Sequence, residues 1–198
     1  MRSDEERLVL LAQEGDRTAF RELVECHMKR VYYLSYDLTG NHEDAEDLSQ
    51  EVFVKVFHSL NQFRADAKFS SWLHRITVNT FIDKRRKYSP ITESIENEYG
   101  EDGERTNQPV DKTASNNPEA RAEAGLMKVH IDTALEKLPS QQRAVFVLRH
   151  YHELALKEIA AILKISEGSV KSSLFRAIRR LQKALHYYRH DLGLEESK

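Results

Sequence analysis

Apolar residues along this chain recur at intervals of three and four, the spacing that gathers side chains on one face of an α-helix. Leu8, Leu11 and Ala12 predict a short first helix ending at Gly15. Thr18 is placed to cap a second helix that carries Phe20, Leu23, Val24, Met28, Val31, Tyr32 and Leu34 and stops near Gly40 and Asn41. Cys26 falls inside that helix and is expected to behave as a small core hydrophobe. A third helix is predicted from about His42 to Leu60. Leu48, Val52, Phe53, Val56, Phe57 and Leu60 share one broad arc, the expected core face. A fourth helix, from about Ser70, has Trp72, Leu73, Ile76, Val78, Phe81 and Ile82 spread nearly all round it and ends in Asp83-Lys84-Arg85-Arg86-Lys87. A helix without one clean stripe is expected to be contacted on two sides.

The same period returns further on. Val129, Ile131, Leu135 and Leu138 mark a helix from Met127 to Leu138, and Pro139-Ser140 opens another through Val145, Val147, Leu148 and Tyr151. A short helix from Lys157 to Leu163 turns Ile159, Ala160 and Leu163 inward. After the tight turn Lys164-Ile165-Ser166, with Ser166 as N-cap, a last helix runs to about Tyr188, its core stripe formed by Val170, Leu174, Ile178, Leu181 and Leu185. A short helix, a three-residue turn and a longer helix form the helix-turn-helix signature.

Between these halves the period disappears. The stretch from Ser89 to about Asn117 holds Pro90, Pro109, Pro118 just beyond it, Gly100, Gly103 and many acidic and small polar residues. It cannot bury enough surface to offset its ordering entropy and reads as a flexible acidic linker. The expected fold is all-α, with two small helical domains over 1–88 and 126–190, a linker over 89–125 and a tail over 191–198. With 7 Gly and 4 Pro in 198 residues, a β-sandwich rich in turns is excluded. No apolar run is long enough to span a bilayer, the first residues lack a secretory pattern, and a cytoplasmic location is expected. One cysteine cannot build an internal disulfide or a multi-thiolate metal site.

Charge changes the picture only when divided by segment. The total, 30 basic against 32 acidic residues, is close to neutral. Yet Arg64, Lys68, Arg75 and Lys84 to Lys87 face only Asp66 and Asp83 within their stretch, and Lys164, Lys171, Arg176, Arg179, Arg180, Lys183 and Arg189 form a second basic run. Either run alone fits a solvated basic face as well as a phosphate-binding one. On the third helix, Asp47, Gln50, Glu51, Val54 and His58 lie opposite the core arc. They form either a solvated face with a stray valine or a docking surface for a basic helical partner. The loop after it sets Phe63 and Phe69 among Arg64 and Lys68, a combination of ring and charge that suits unstacked bases. Trp72 nearby suits either a core or a stacking role. On the last helix Ser169, Lys171, Ser172, Phe175, Arg176 and Arg179 lie opposite the core stripe, where the second helix of a helix-turn-helix meets the major groove. An exposed Phe175 among hydroxyls and cations calls for a thymine methyl or a sugar. His150 and His152 lack the further ligands of a metal site, and no catalytic residue, metal or cofactor is expected.

Two blocks carry a resemblance. Asp44-Ala45-Glu46-Asp47-Leu48-Ser49-Gln50-Glu51-Val52-Phe53-Val54-Lys55-Val56-Phe57, followed by Phe69-Ser70-Ser71-Trp72-Leu73-His74-Arg75-Ile76-Thr77-Val78-Asn79, resembles the hallmark of the extracytoplasmic-function (group 4) sigma factors of bacterial RNA polymerase. Leu138-Pro139, Lys157-Glu158-Ile159-Ala160 and Gly168-Ser169-Val170-Lys171-Ser172-Ser173-Leu174-Phe175-Arg176-Ala177 resemble that family's promoter-reading domain.

The resemblance implies that Asp47, Gln50, Glu51 and Val54 dock on the β′ clamp coiled coil of core polymerase, with the β flap as a further contact. It implies that Phe63, Arg64, Lys68, Phe69, Trp72, Arg75 and Asn79 melt and capture the minus-ten element. Ser169, Lys171, Ser172, Phe175, Arg176 and Arg179 would read the minus-thirty-five element. Lys171 stands where arginine is frequent in the family, and lysine lacks the planar fork that grips guanine. An anti-sigma factor is the further partner implied. Two alternatives outside this family are a stand-alone helix-turn-helix regulator and a metal-dependent phosphohydrolase using His42, Glu43, Glu46 and Asp47, whose spacing fits no HExxH pattern.

Overall fold

A computed structural model describes residues 4–64, 68–88 and 129–191, and every regular element among them is helical. In chain order these are α1 (Asp4–Gln13), α2 (Arg17–Thr39), α3 (His42–Ser59), one 3-10 turn (Leu60–Gln62), α4 (Phe69–Tyr88), α5 (129–136), α6 (Ser140–His150), α7 (Leu156–Leu163) and α8 (Glu167–Asp191). The expected all-α architecture holds. The expected linker over 89–125 and all but the first residue of the expected tail lie outside the described residues.

Local chemistry sets the helix ends. Gly15 and Gly40 take left-handed backbone angles, φ +96° and +86°, and so close the helices before them. Asp16, not Thr18, caps α2: its carboxylate accepts from the amides of Thr18 at 2.8 Å and Ala19 at 3.1 Å. Thr18 already lies in the first turn and cannot cap it. Asn41 caps α3 by accepting from the Asp44 amide at 2.8 Å.

The first half packs α2, α3 and α4 around Leu34, Leu38, Leu48, Val52, Leu73 and Val78, all almost fully buried, with α1 along α2. In the second half α5, α6 and α8 enclose Leu135, Leu138, Ala177 and Leu181. The halves do not stand apart. Val145, Leu148, Ile159 and Val170 belong to the same continuous apolar cluster as Leu34, Leu48 and Val78. α4 accordingly meets α2 and α3 on one side and α6 and α7 on the other, as its all-round apolar pattern predicts.

Four apolar assignments are overturned. The buried line of α2 runs through Ala19, Leu23, His27, Val31, Leu34 and Leu38, so Cys26 and Met28 on either side of His27 are exposed. His27 takes the inward place because its Nε2 lies 2.8 Å from Glu5. Phe57, assigned to the core arc, is 57% exposed and rests edge-on against Phe20. Val129 is likewise exposed, at the edge of the α5 stripe. The common reason is that a helix buries only the sector its neighbours reach. An apolar side chain at the margin stays in solvent.

Truncating Leu48 to Ala should lower unfolding stability by about 2–5 kcal/mol, because the fully buried site cannot collapse around the loss. Val54→Ala on the exposed face of the same helix should change it by less than about 0.5 kcal/mol. Urea unfolding followed by circular dichroism checks both.

Candidate protein and nucleic-acid interfaces

Because Ala45, Leu48, Val52 and Val56 turn inward, α3 presents Asp47, Gln50, Glu51 and Val54 together on its outer face, and all four are exposed. Lys55 pairs with Glu51 at 2.9 Å, one turn away, and Lys84 approaches Asp47 at 3.8 Å. Such solvated pairs leave the carboxylates available to a partner. Phe57 sits three residues after Val54 and widens the apolar part of the patch. The sequence pattern missed it, although its spacing from Val54 was the available signal.

The second group lies where the 3-10 turn meets α4. The Gln13 amide donates to the carbonyls of Leu60 and Phe63, both at 2.9 Å, and pins the turn to α1. Phe63, Phe69 and Trp72 form one ring cluster with centroids 5.2–5.5 Å apart. Phe63, Arg64, Trp72 and Arg75 line one cleft of about 420 Å³ with Gln62 and Ser71. Lys68 and Asn79 are exposed and outside its lining, whereas Phe69 and Trp72 are buried at 4% and 7% exposure. The opposite wall belongs to the other half of the chain: Leu154, Glu158, Ala161 and Ile162.

The third group is built by the α7–α8 turn. The Glu158 carboxylate accepts from the Ala155 amide at 2.8 Å and fixes the start of α7. Lys164 adopts φ +55° and ψ +42°, the left-handed conformation that ends α7. Ser166 Oγ then accepts from the Ser169 amide at 3.0 Å, the cap expected for α8. Val170, Ala177 and Leu181 are buried, so Ser169, Lys171, Ser172, Phe175, Arg176 and Arg179 all emerge on the exposed side. Phe175 is 40% exposed, and the Arg179 guanidinium lies 4.9 Å above its ring. That cation–π contact orients the ring and keeps positive charge beside it.

Residues that no local pattern marked join the halves. His152 Nε2 lies 3.0 Å from an Asp37 carboxylate oxygen, and the His74 ring lies 5.9 Å from the His152 ring. Burial holds His74 down to about 4, with His152 the next cause. The Arg85 guanidinium donates to the Glu136 carbonyl at 3.1 Å. Arg143 is almost fully buried over the Phe81 ring, and burial followed by Arg85 lowers it to about 10. These partners are tens of positions apart in sequence, beyond the reach of helical periodicity. Among the described residues no three His, Cys, Asp or Glu side chains are grouped to hold a metal. His42 instead hydrogen-bonds the Tyr32 hydroxyl at 2.6 Å. No helix among them is long and apolar enough to cross a membrane.

Residues 23–90 match Sigma-70 region 2, and residues 129–181 match Sigma-70, region 4. Over 173 residues the chain is 33% identical to the ECF RNA polymerase sigma factor SigW of Bacillus subtilis strain 168, covering 87% of this chain and 92% of that one. The chain belongs to the ECF sigma factors. As a sigma factor it binds core RNA polymerase and directs initiation to promoter DNA. Region 2 of the sigma factor spans most of α2 and all of α3 and α4, and region 4 spans α5 to the middle of α8. Two solved structures share the fold. CnrH, in complex with the cytosolic domain of CnrY, has a TM-score of 0.61 at 24% identity, covering 93% of this chain and 99% of that one. The sigma factor RpoE of Bartonella quintana, in complex with the anti-sigma factor NepR, has a TM-score of 0.57 at 22% identity, covering 84% and 96%.

Ser166→Ala should cost the sigma factor about 1 kcal/mol by leaving the Ser169 amide without its cap. Faster hydrogen exchange at the first amides of α8, with α6 unchanged, would register the loss.

Proposed function

We propose that the three surfaces divide initiation among themselves, with 1–88 and 126–190 as working domains and 89–125 as the tether. The observation that carries this reading is the face of α8. Directly behind a three-residue turn it combines two hydroxyls, three cations and an exposed aromatic, while its opposite stripe is buried. A capped helix whose exposed face carries cations from Lys171 onward suits insertion into the major groove. Lys171 and Arg176 then face guanine edges or phosphate of the minus-thirty-five element, Ser169 and Ser172 base or backbone, and Phe175 a methyl or sugar. Arg179, further along and stacked on Phe175, contacts phosphate.

Asp47, Gln50, Glu51 and Val54 dock on the β′ clamp coiled coil, for which an acidic helix face with an apolar centre is complementary. The β flap receives the second domain. Phe63, Arg64, Lys68, Arg75 and Asn79 capture the minus-ten strand by stacking and phosphate contact, with the buried Phe69 and Trp72 rings backing Phe63. The protein itself breaks and makes no covalent bond, and it acts in the cytoplasm, where polymerase and chromosome meet. An anti-sigma factor restrains it; the solved complex of RpoE with NepR supports that reading.

Two measurements test the assignment. The double reversal Asp47→Lys, Glu51→Lys should abolish holoenzyme formation in a pull-down with purified core polymerase while leaving the helical spectrum unchanged. Retained core binding would refute the docking role. Arg176→Ala should weaken holoenzyme binding to a minus-thirty-five duplex by about 1–3 kcal/mol and relax sequence preference there, read by fluorescence anisotropy at fixed salt.

A further inference from the structure

In this conformation part of the group assigned to the minus-ten element shares its cleft with region 4. α7 forms the far wall of the cleft that holds Phe63, Arg64, Trp72 and Arg75, and it brings Glu158 toward those cations. Beyond the shared apolar core, two polar clasps among the described residues join the halves: His152 on Asp37, and Arg85 on the Glu136 carbonyl. Gly40 closes α2 against the second clasp. A Cβ there would lie 3.1 Å from Arg143 Nη2 and 3.2 Å from Glu136 Oε1.

His74 sits at the centre of this junction. Its Nε2 is buried and makes no hydrogen bond. The charged and titratable groups facing it come from three elements. His27 and Arg30 belong to α2, His152 to the segment between α6 and α7, and Glu158 to α7. Three of the four are basic. A proton on His74 therefore meets lost hydration and net repulsion, opposed only by Glu158. A charge on His152 would tighten its contact with Asp37 but add to the repulsion on His74.

We propose that His74 is a proton-sensitive latch: neutral, it allows region 4 to close over the minus-ten surface, and protonated, it drives the two halves apart. Its role in DNA access rests on the minus-ten assignment above; the opening itself does not. The direction follows from linkage. Closed, His74 titrates at about 4; opening removes His152, Glu158 and the burial that region 4 supplies but leaves Arg30 and His27 of α2, so its value rises toward the ordinary 6.5. A group depressed in the closed form favours closure above about pH 6.5 and withdraws that support as pH falls toward 4. Between pH 7.5 and 5.5 the ratio of open to closed molecules should rise severalfold, with about tenfold as the upper limit.

The test uses the full chain, free of polymerase and DNA. Fluorophores on the native, exposed Cys26 in α2 and on a cysteine introduced by Gln182→Cys in α8 report the separation of the halves. The expected result is a larger separation at pH 5.5 than at 7.5. His74→Gln should remain closed across that range, and Asp37→Asn should open at pH 7.5. Unchanged or tighter closure of the wild-type pair at pH 5.5 would overturn the latch, as would an unaltered pH response in His74→Gln. If that variant loses its helical spectrum, His74→Phe, also uncharged, takes its place. Opening without any gain in binding to single-stranded minus-ten DNA would remove the minus-ten assignment and leave the latch standing.

Discussion

The packing of α4 on both sides is the constraint from which the rest of the arrangement follows. Its apolar residues surround it, so one neighbouring layer cannot remove them from water. Leu73 and Val78 help fill the core with α2 and α3, while α6 and α7 come against the remaining surface. A core shared in this way joins region 2 to region 4 without a large polar interface. It also sets Phe63 and Trp72 at the seam, in a cleft whose other wall is Leu154, Glu158, Ala161 and Ile162.

Polar groups decide how firmly that seam holds. Arg143 and His74 are taken out of water at the junction, and both are shifted toward their neutral forms by burial. Arg143 gains the Phe81 ring face and nearby carboxylates, but Arg85 opposes its charge and its Nε makes no hydrogen bond. His74 gains one carboxylate against three basic neighbours. Both groups are held in the seam with part of their polar demand unmet.

The near-neutral net charge has a parallel explanation. Acid is collected on the exposed face of α3, and base along α8 and the end of α4. The whole-chain average conceals the separation. Solvated ion pairs such as Glu51 with Lys55 do not cancel these patches, because they are cheap to break.

The helices, the turn before α8, its Ser166 cap and the outward face from Ser169 to Arg179 were legible in the sequence, because each depends on residues within one or two turns of helix. The two-sided contact of α4 was legible for the same reason. The margins of the core were not. Cys26, Met28, Phe57 and Val129 are apolar, and only the positions of neighbouring helices determine which sector is covered. Nor could local spacing reveal that Asp37 meets His152, that Arg85 reaches Glu136, or that Glu158 faces the aromatic cleft. The sequence alone determined the elements and their chemical faces, since helical periodicity is a short-range property. Tertiary structure decided which faces are open, because burial depends on contacts between segments that the chain holds far apart.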